Sequence, residues 1–568
     1  MKRILILLPL IFLACLTASA QADQQDLDRE VTLYNPYKPS LSEFRKRSFL
    51  PDIKDTARLN PVFTYDILTT PFSPEYTISP IKPASLLPDP LPKLYKSYVK
   101  IGLGTHITPM AELSITNERS KRGAIGFYGR HFSSNGSVKL QNDDNAFAGY
   151  MDNDVSLFGK KFLSGNLLEG SLDFSQKLRY AYGYDTSVVD FYDPVKKDIR
   201  MGYNNLGAAV SFASLTLDST SYSYDFDLNY DYFYHTTARS QHNIGLNGIM
   251  ATKYEGFYIG SAIEFQYYIL SKALSDKSKY LFSLSPFVKK STPQWNFKAG
   301  LQLLLDRNMT DNPKFHFYPD VNFGFSIVPQ YMRFFAALNG RLERNEPKIV
   351  IDQNPFLLRD GSLFRLPNTS HNLIVSAGLN GNNGIGGNYL VSASYSVIND
   401  MLFFANKVDT VDIISPQIGN FFAPVVDDGE ILKLHGEVTG TLLDNRVSYG
   451  ASGNYYNYNL TLPGLPLNKP DWDATLGVKY NLRNKIIAGA DITALGKRQL
   501  GVMNMNTLVP LAEKEPVHVN INLNAEYRYT KILSFWVKAN NIAFNKYYEY
   551  AYFPTQRFLI MVGFSYSL

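Results

Sequence analysis

Apolar and polar residues alternate with a period of two along the stretch from Val517 to Tyr529. The odd-numbered positions are apolar or aromatic, and the even-numbered positions are polar. Only a β-strand places successive side chains on opposite faces. The stretch exceeds the usual strand length of about 5–6 residues and is long enough for a tilted strand to cross a bilayer, which takes roughly 9–11 residues. It is therefore predicted to be a membrane-crossing strand, with the exposed face of a soluble sheet as the alternative.

The same alternation begins at Lys96 and recurs to the end of the chain. It predicts about 22 strands, which lie at residues 98–104, 110–118, 123–132, 154–162, 167–182, 200–215, 222–235, 242–252, 257–270, 280–289, 294–305, 315–327, 332–341, 372–379, 389–404, 433–442, 446–456, 474–482, 486–495, 517–529, 532–543 and 558–568. No stretch after the first twenty residues has the ~18 consecutive apolar residues of a membrane helix.

The lengths of the predicted connections also alternate. Short turns lie at residues 120–122, 163–166, 217–220, 253–256, 291–293, 328–330, 444–445 and 483–484. Long segments lie between them at residues 133–153, 183–198, 342–371, 406–430, 457–473 and 496–516. Short turns at one end and long loops at the other are typical of outer-membrane barrels. The fold class is therefore predicted to be all-β, a transmembrane antiparallel β-barrel whose chain ends are both periplasmic.

The region before the barrel divides into two parts. Residues 1–20 read as a secretory signal, with Lys2 and Arg3 before an apolar run and Ala18-Ser19-Ala20 as the cleavage site. Lipidation at Cys15, the single cysteine of the chain, is the alternative. Residues 21–95 are rich in proline, which removes backbone donors and favours extended conformations. They are predicted to form an extended periplasmic segment, a partial plug of the lumen or a partner-binding tail, before the barrel at 96–568.

Composition changes this picture little. The net charge is +5 over 568 residues, which gives no argument for a nucleic-acid partner. Tyrosines cluster near predicted strand ends, for example Tyr547, Tyr548, Tyr550 and Tyr552, and are assigned to an interfacial aromatic girdle. No catalytic, metal-binding or cofactor-binding motif stands out, so we expect neither an enzyme nor a cofactor. Outer-membrane lipids are the expected surroundings.

The last strand carries a second pattern. Phe558, Ile560, Val562, Phe564, Tyr566 and Leu568 share one face. Gly563, Phe564, Tyr566 and Leu568 together resemble the C-terminal signal that the barrel-assembly machinery reads in outer-membrane proteins. The alternative is a last strand that only closes on the first, which every barrel needs to remove its edges.

The run Asn540-Asn541-Ile542-Ala543-Phe544-Asn545-Lys546-Tyr547-Tyr548, followed by Pro554 to Phe558 and the final strand, resembles the end of TonB-dependent receptor barrels. This resemblance implies a barrel of about 22 strands in the outer membrane of a Gram-negative bacterium. The segment before residue 96 is too short for the complete globular plug of that family and has no clear energy-coupling box. It is similar to the tails of plugless, receptor-like barrels.

The polar face of the strand at 517–529 is predicted to line the lumen. Its residues are His518, Asn520, Asn522, Asn524, Glu526 and Arg528. They are either hydrated wall groups or contacts for a solute or for the N-terminal segment. Two functions follow from the resemblance: transport of a solute across the outer membrane, or a non-conducting scaffold in an envelope complex. A periplasmic or surface lipoprotein is the expected partner in the second case.

Overall fold

The computed structural model describes residues 94–117, 120–186, 195–215, 222–236, 239–271, 279–307, 312–357, 365–384, 386–407, 421–461, 466–503 and 510–568. The predicted signal peptide lies outside the described residues. So does the proline-rich segment, apart from Leu94 and Tyr95. Among the described residues, no helix is both long and apolar enough to span a membrane.

The described chain is almost entirely extended. Its strands are β1 (Ser97–Gly104), β2 (Thr108–Thr116), β3 (Gly123–Ser134), β4 (Ser137–Lys139), β5 (Asn145–Phe147), β6 (Tyr150–Leu163), β7 (Asn166–Tyr180), β8 (Arg200–Ser214), β9 (Ser223–His235), β10 (Ser240–Tyr254), β11 (Phe257–Leu270), β12 (Lys279–Ser291), β13 (Trp295–Arg307), β14 (Lys314–Val328), β15 (Met332–Glu343), β16 (Thr369–Asn382), β17 (Gly387–Lys407), β18 (Phe421–Leu442), β19 (Val447–Leu460), β20 (Trp472–Leu482), β21 (Ile486–Leu495), β22 (Arg498–Met503), β23 (Pro510–Glu515), β24 (His518–Arg528), β25 (Leu533–Asn540), β26 (Tyr548–Tyr550), β27 (Phe553–Pro554) and β28 (Leu559–Ser567). One helix, α1 (Pro347–Gln353), lies between β15 and β16.

Twenty-two of these strands form one closed antiparallel barrel. Each pairs with its neighbours in chain order, and β1 pairs with both β2 and β28, which closes the wall. The hairpins β4–β5, β22–β23 and β26–β27 lie within connections of the barrel. The predicted barrel of about 22 strands is confirmed, and each predicted strand corresponds to one barrel strand.

The two faces of the wall differ in the way that the alternation requires. On β14, Phe315 and Phe317 are 67% and 60% exposed, whereas Tyr318 on the opposite face is 1% exposed. Outward apolar side chains of this kind are typical of a barrel wall in lipid, and inward ones are covered by other parts of the protein. The period of two in the sequence therefore arises because the outer and inner faces of each strand lie in different environments.

Short turns connect the strands at one end of the barrel, here called the short-turn end. Between β10 and β11, Glu255 and Gly256 both have positive φ, of 48° and 80°. This is the geometry of the tight two-residue turn that matches strand twist. The opposite, long-loop end carries the long connections, with the brief connections between β1 and β2 and between β9 and β10 as exceptions. The predicted alternation of loop lengths is thus largely confirmed.

Four of the predicted long loops contain more regular structure than expected, among them 133–153 with the hairpin β4–β5 and 342–371 with α1. The segment 406–430 is not all loop, because β17 continues to Lys407 and β18 already begins at Phe421. The segment 496–516 contains the hairpin β22–β23. With 21 and 22 residues, β17 and β18 are much longer than β1 and β28, with 8 and 9. The barrel wall is therefore short along its axis where β1 meets β28, and it extends further at the long-loop end where β17 pairs with β18.

A tryptophan covers the closing seam. Trp536 of β25 lies opposite Gly563 of β28, and Gly563 lies opposite Gly102 of β1. A Cβ atom at Gly563 would collide with the Trp536 ring and with the Ile101 carbonyl, and one at Gly102 would collide with the same ring. The two glycines make a groove for the indole across three strands. Gly563 thus has a packing role in barrel closure.

Candidate functional site

Five connections of the long-loop end meet in one buried apolar cluster, which we call the cap. Residues of barrel strands, for example Tyr203 of β8 and Phe233 of β9, belong to the same cluster. Its other members are Ala181, Ile199, Met201, Val350, Ile351, Phe356, Leu357, Leu366, Leu402, Phe404, Phe421, Phe422, Leu500, Tyr550, Ala551, Tyr552 and Phe553. Since these residues come from connections that are far apart along the rim, the cap joins distant parts of the mouth.

Phe553 is at the centre of the cap. It has no exposed surface. Its ring stacks on Phe356 at a centroid distance of 4.0 Å and lies 5.1 Å from Tyr182 and 5.7 Å from Phe422. Aromatic contacts of this kind stabilise a cluster in addition to the stabilisation that comes from burying apolar surface. The connections between β7 and β8, β15 and β16, β17 and β18, and β25 and β28 therefore pack against a single ring.

The connection from residue 344 to residue 368, here called the strap, is described at residues 344–357 and 365–368 and contacts parts of the barrel far from its own strands. Pro347 starts α1 at a position where its missing N–H costs nothing. Val350 and Ile351 of α1 are buried in the cap. Lys348 pairs with Asp231 of β9 at 3.4 Å. Because β10 to β14 lie between β9 and β15 in the wall, the strap leaves its own strands and contacts a distant part of the barrel.

Further bonds hold the strap to the other loops. The Tyr203 hydroxyl donates to the Pro355 carbonyl at 2.5 Å, and the Tyr550 hydroxyl donates to the Gln353 carbonyl. The Phe422 N–H donates to the Phe356 carbonyl at 2.8 Å. Buried backbone groups that pair in this way avoid the cost of desolvation without a partner. The strap is thus bound by both apolar packing and hydrogen bonds.

The outward extension of β17 supports the cap from the side. Leu402 and Phe404 belong to the cap, whereas Phe403 and Ala405 pack with Leu467 in a second cluster on the opposite face. This part of β17 is buried on both faces and therefore supports the cap. The length of β17 and β18 is explained by this contact.

A cavity of about 390 Å³ lies beside the cap, within the range of about 300–1,000 Å³ for small-molecule sites. Phe356 and Ile351 of the strap border it on one side, and β6, β7 and the segment 540–557 border it on the others. Arg179 donates to both carboxylate oxygens of Asp152, at 2.7 and 3.2 Å. Lys177 pairs with Asp352 of the strap. The cavity is therefore polar and bounded by the cap.

Glu549, on the hairpin β26–β27, also lines this cavity. Glu549 is exposed to solvent as a residue, and the protein around its carboxylate partly desolvates it. The resulting desolvation raises its pKa, against the opposing influence of Arg179 and Arg498. The nearby Arg498 guanidinium donates instead to the Tyr548 carbonyl at 2.8 Å. Glu549 is thus a carboxylate without an ion pair among the described residues.

The structure separates the predicted lumen residues of β24 into two groups. Near the long-loop end, His518 is 5% exposed and stacks on Tyr547 at 3.6 Å. Asn520 lines the cavity, and Asn522 accepts a bond from the backbone N–H of Asn541 at 3.0 Å. Asn524 donates to Asp491 at 3.5 Å.

Glu526 and Arg528 lie near the short-turn end and pair with each other at 3.2 Å. The structure therefore places Asn520 in the cavity lining, whereas Glu526 and Arg528 lie at the other end of the barrel. Their common assignment to the lumen wall remains a prediction. The assembly-signal role of Gly563, Phe564, Tyr566 and Leu568 also remains a prediction.

The assignment of the four tyrosines at 547, 548, 550 and 552 to a membrane girdle is wrong, since Tyr547 lines the cavity and Tyr548 packs against the cap. Tyr550 and Tyr552 are 7% and 6% exposed and lie inside the cap. The sequence pattern did not identify the cap. The available signal was the apolar and aromatic character of Phe421-Phe422 and Tyr550–Phe553, which solvated loops would not need. In the described part of the chain, no group of three or more His, Cys, Asp or Glu residues is placed to hold a metal ion.

Comparison with solved structures gives the same architecture. The pyoverdine outer-membrane receptor FpvA from Pseudomonas aeruginosa PAO1 is 11% identical, with a TM-score of 0.61 over 84% of this chain and 79% of that one. The FrpB iron transporter from Neisseria meningitidis is 10% identical, with a TM-score of 0.62 over 84% and 82%. The fold is that of TonB-dependent receptor barrels.

The copper transporter OprC is similar at the same level, with 12% identity and a TM-score of 0.59 over 84% of this chain and 81% of that one. No protein-family model matches the sequence, and no curated protein matches it. The likeness to a TonB-dependent receptor barrel expected from the C-terminal residues is confirmed. Membership of a plugless group remains a prediction.

Proposed function

We propose that this protein carries a solute across the outer membrane of a Gram-negative bacterium. A barrel of 22 strands encloses a lumen too wide for its wall side chains to fill. The cap closes over its mouth, and a polar cavity lies beside the cap. A wide lumen with a separate closing element is what a gated passage needs. This combination is the observation that carries the proposal.

The orientation follows from the layout of outer-membrane barrels, which place short turns in the periplasm and long loops outside the cell. The cap then faces the exterior. A solute would reach the cavity when the strap moves away from the wall of β7–β9. The names of FpvA, FrpB and OprC describe a receptor and two transporters of iron or copper. They support a transport role in general and leave the solute of this protein open.

The segment 21–95 is proposed to occlude the lumen from the periplasmic side or to bind a periplasmic partner. The final strand is proposed to bring the chain to the barrel-assembly machinery. The barrel is proposed to be surrounded by outer-membrane lipids. These proposals rest on sequence patterns and on the general needs of a wide barrel.

The second function, a non-conducting scaffold that binds a surface or periplasmic lipoprotein, is favoured by one observation. The cap closes through a buried aromatic core. A core of this kind would suit a permanently closed barrel as well as a gate.

Single-channel conductance in a planar bilayer separates the two functions. The mature protein and a variant lacking residues 21–93 are compared, and a variant that conducts in steps supports transport. If both stay closed even when the strap is replaced by a short turn, the scaffold function is favoured instead. β15 and β16 are paired neighbours, so a short turn can join them without disturbing the wall.

A further inference from the structure

A second cavity, of about 300 Å³, lies at the long-loop end of the closing seam, and we call it the seam pocket. It is lined by the turn between β1 and β2, by the hairpin β4–β5, by Lys546 and by residues 555–558, which precede β28. Residues 555–557 also border the cavity beside the cap, but no described residue of the strap lines the seam pocket. The seam pocket is therefore a site at the rim, close to the pairing of β1 with β28.

Positive charge dominates the lining of the seam pocket. Lys139, Lys546 and Arg557 border it, together with the imidazole of His106, and no Asp or Glu of the described chain does. None of the three cations belongs to an ion pair of the described residues. The Lys546 Nζ donates to the Leu140 carbonyl at 2.9 Å, which holds the ammonium group at the hairpin. This surplus of positive charge attracts an anion.

The pKa of Lys546 reflects the surplus. Partial burial lowers this pKa, and the like charge of Arg557 lowers it further. Asp143, in the turn of the hairpin β4–β5, opposes both effects but does not line the pocket. An anion bound beside Lys546 and Arg557 would relieve the repulsion between them.

Exposed apolar side chains continue past the ends of the seam strands towards the pocket. Ile107, in the turn after β1, is 69% exposed, and Phe544 is 60% exposed. The Phe544 ring stacks on Phe558 of the pocket lining at a centroid distance of 4.7 Å. On the wall, Leu103 and Val562 are paired neighbours of β1 and β28, and each is 58% exposed. Apolar surface therefore leads from the lipid-facing wall to the edge of the pocket.

The seam strands are too short to span the apolar band of a membrane on their own. β1 has 8 residues and β28 has 9. At ~3.4 Å per residue and a tilt of about 40°, strands of this length span roughly 20 Å along the barrel axis, against an apolar band of ~25 Å. The boundary between hydrocarbon and headgroups therefore lies beyond the strand ends, at the level of Ile107 and Phe544, and the cations of the pocket follow directly.

We propose that the seam pocket binds the phosphorylated headgroup of a lipid of the outer leaflet, with the acyl chains along Leu103 and Val562. Arg557 donates two parallel N–H groups to the phosphate oxygens, and Lys139 and Lys546 donate from flexible stems. The leaflet follows from the orientation proposed above, with the long-loop end outside the cell.

A lipid suits this site better than a soluble anion does. A free phosphate would use the same cations but would leave the exposed faces of Phe544 and Ile107 without an apolar contact. A lipid satisfies both, and it covers the wall where β1 and β28 are short. The inference is independent of the transport function, because a scaffold barrel would have the same seam.

Native mass spectrometry of the full mature protein in detergent micelles counts the lipids that stay bound. The probes are dioleoyl phosphatidic acid, whose headgroup is a bare phosphate, and dioleoyl phosphatidylcholine, which has the same acyl chains and no net charge. We expect phosphatidic acid to bind at least tenfold more tightly. Glycerol 3-phosphate, which has the same phosphate without acyl chains, should not displace it at equal concentration.

Variants of exposed lining residues locate the site. Arg557→Gln and Lys139→Gln should each weaken the binding of phosphatidic acid about fivefold, the usual contribution of one Lys or Arg at an anionic lipid surface. Phe544→Ala removes the apolar contact and should weaken it severalfold. The matched control is Arg200→Gln, which removes an exposed cation at the start of β8, outside the pocket lining, and should leave the affinity unchanged. A retained heat-dependent shift on gel electrophoresis shows that each variant is folded.

Three results overturn the assignment. Equal binding of phosphatidylcholine would show that the cations do not select the headgroup. Displacement of the lipid by glycerol 3-phosphate at equal concentration would assign the pocket to a soluble phosphate. Parent-like binding by all three pocket variants would place the lipid elsewhere on the barrel.

Discussion

The cap predicts a large local effect for a single truncation at its centre, Phe553→Ala. The ring has no exposed surface and contacts aromatic rings from three other connections. Truncating a buried phenylalanine to alanine costs about 3–5 kcal/mol. We take about 3 kcal/mol, since loops relax into a cavity more easily than a sheet does. At 1.4 kcal/mol for each factor of ten, the open population of the cap should rise about a hundredfold.

Hydrogen–deuterium exchange with mass spectrometry reports this opening in the assembled barrel. Exchange of peptides that cover α1 and Phe421–Phe422 should speed up about a hundredfold, while peptides from β10 to β14 should be unchanged. The control, Phe544→Ala, removes the same atoms from a ring that is 60% exposed and should leave the cap unaffected. If α1 exchanges at the parent rate in Phe553→Ala, the packing of the cap does not hold the strap, and the reasoning is refuted.

Three further predictions concern the seam, the ion pair of the strap and the cavity. Gly563→Val should lower the melting temperature of the barrel or prevent its assembly, because the added Cβ meets Trp536. The heat-dependent shift of the band on gel electrophoresis measures this. The control is Gly436→Val, where a Cβ meets nothing within 4 Å. Lys348→Ala should change the stability of the cap by less than about 1 kcal/mol, since its pair with Asp231 is part-exposed; a larger effect on exchange of α1 would contradict this. Burial raises the pKa of Glu549, so its contribution to stability is full below the ordinary carboxyl pKa and is lost as pH rises through the raised value. Glu549→Gln should therefore slow exchange of the cap at neutral pH and have no effect in acid, after correction for intrinsic rates; equal effects at both would count against it.

The barrel could be predicted from the sequence because each strand separates lipid from the interior. On β24, Leu523 and Tyr527 are 43% and 42% exposed on the outer side, whereas Asn522 and Asn524 make polar contacts with Asn541 and Asp491. This contrast imposes the period of two on every barrel strand. The turns could also be predicted from the sequence, since the tight connection at Glu255 and Gly256 requires positive φ at both residues.

The cap could not be predicted in the same way. Its residues lie far apart in the chain, and most of its connections have no repeating pattern. The helix α1 is only seven residues long, too short for a helical period to stand out. Phe356 and Phe553 are adjacent only because the strap crosses to the hairpin β26–β27. Tyr550 looked like a membrane-interface residue because local sequence does not distinguish a ring in lipid from a ring in a protein core.

The cavity shows the same limit. Asn520 was identified through the alternation of β24, and the structure places it in the cavity lining. Glu549, Arg179 and Asp152 come from other parts of the chain, and their proximity depends on closure of the barrel between β28 and β1. Short-range patterns therefore predicted the wall, while the site depends on contacts between residues distant in sequence.

The most direct test of the central claim, that the cap is the outer gate of a conducting barrel, is planar-bilayer recording of two proteins. Both lack residues 21–93, and in one of them the strap between Glu343 and Thr369 is replaced by a short glycine–serine turn. The account predicts a low or intermittent conductance with the strap and large, stable steps without it. If the protein without the strap stays closed, the cap is not the gate. If the protein with the strap is already fully open, the cap does not close the lumen.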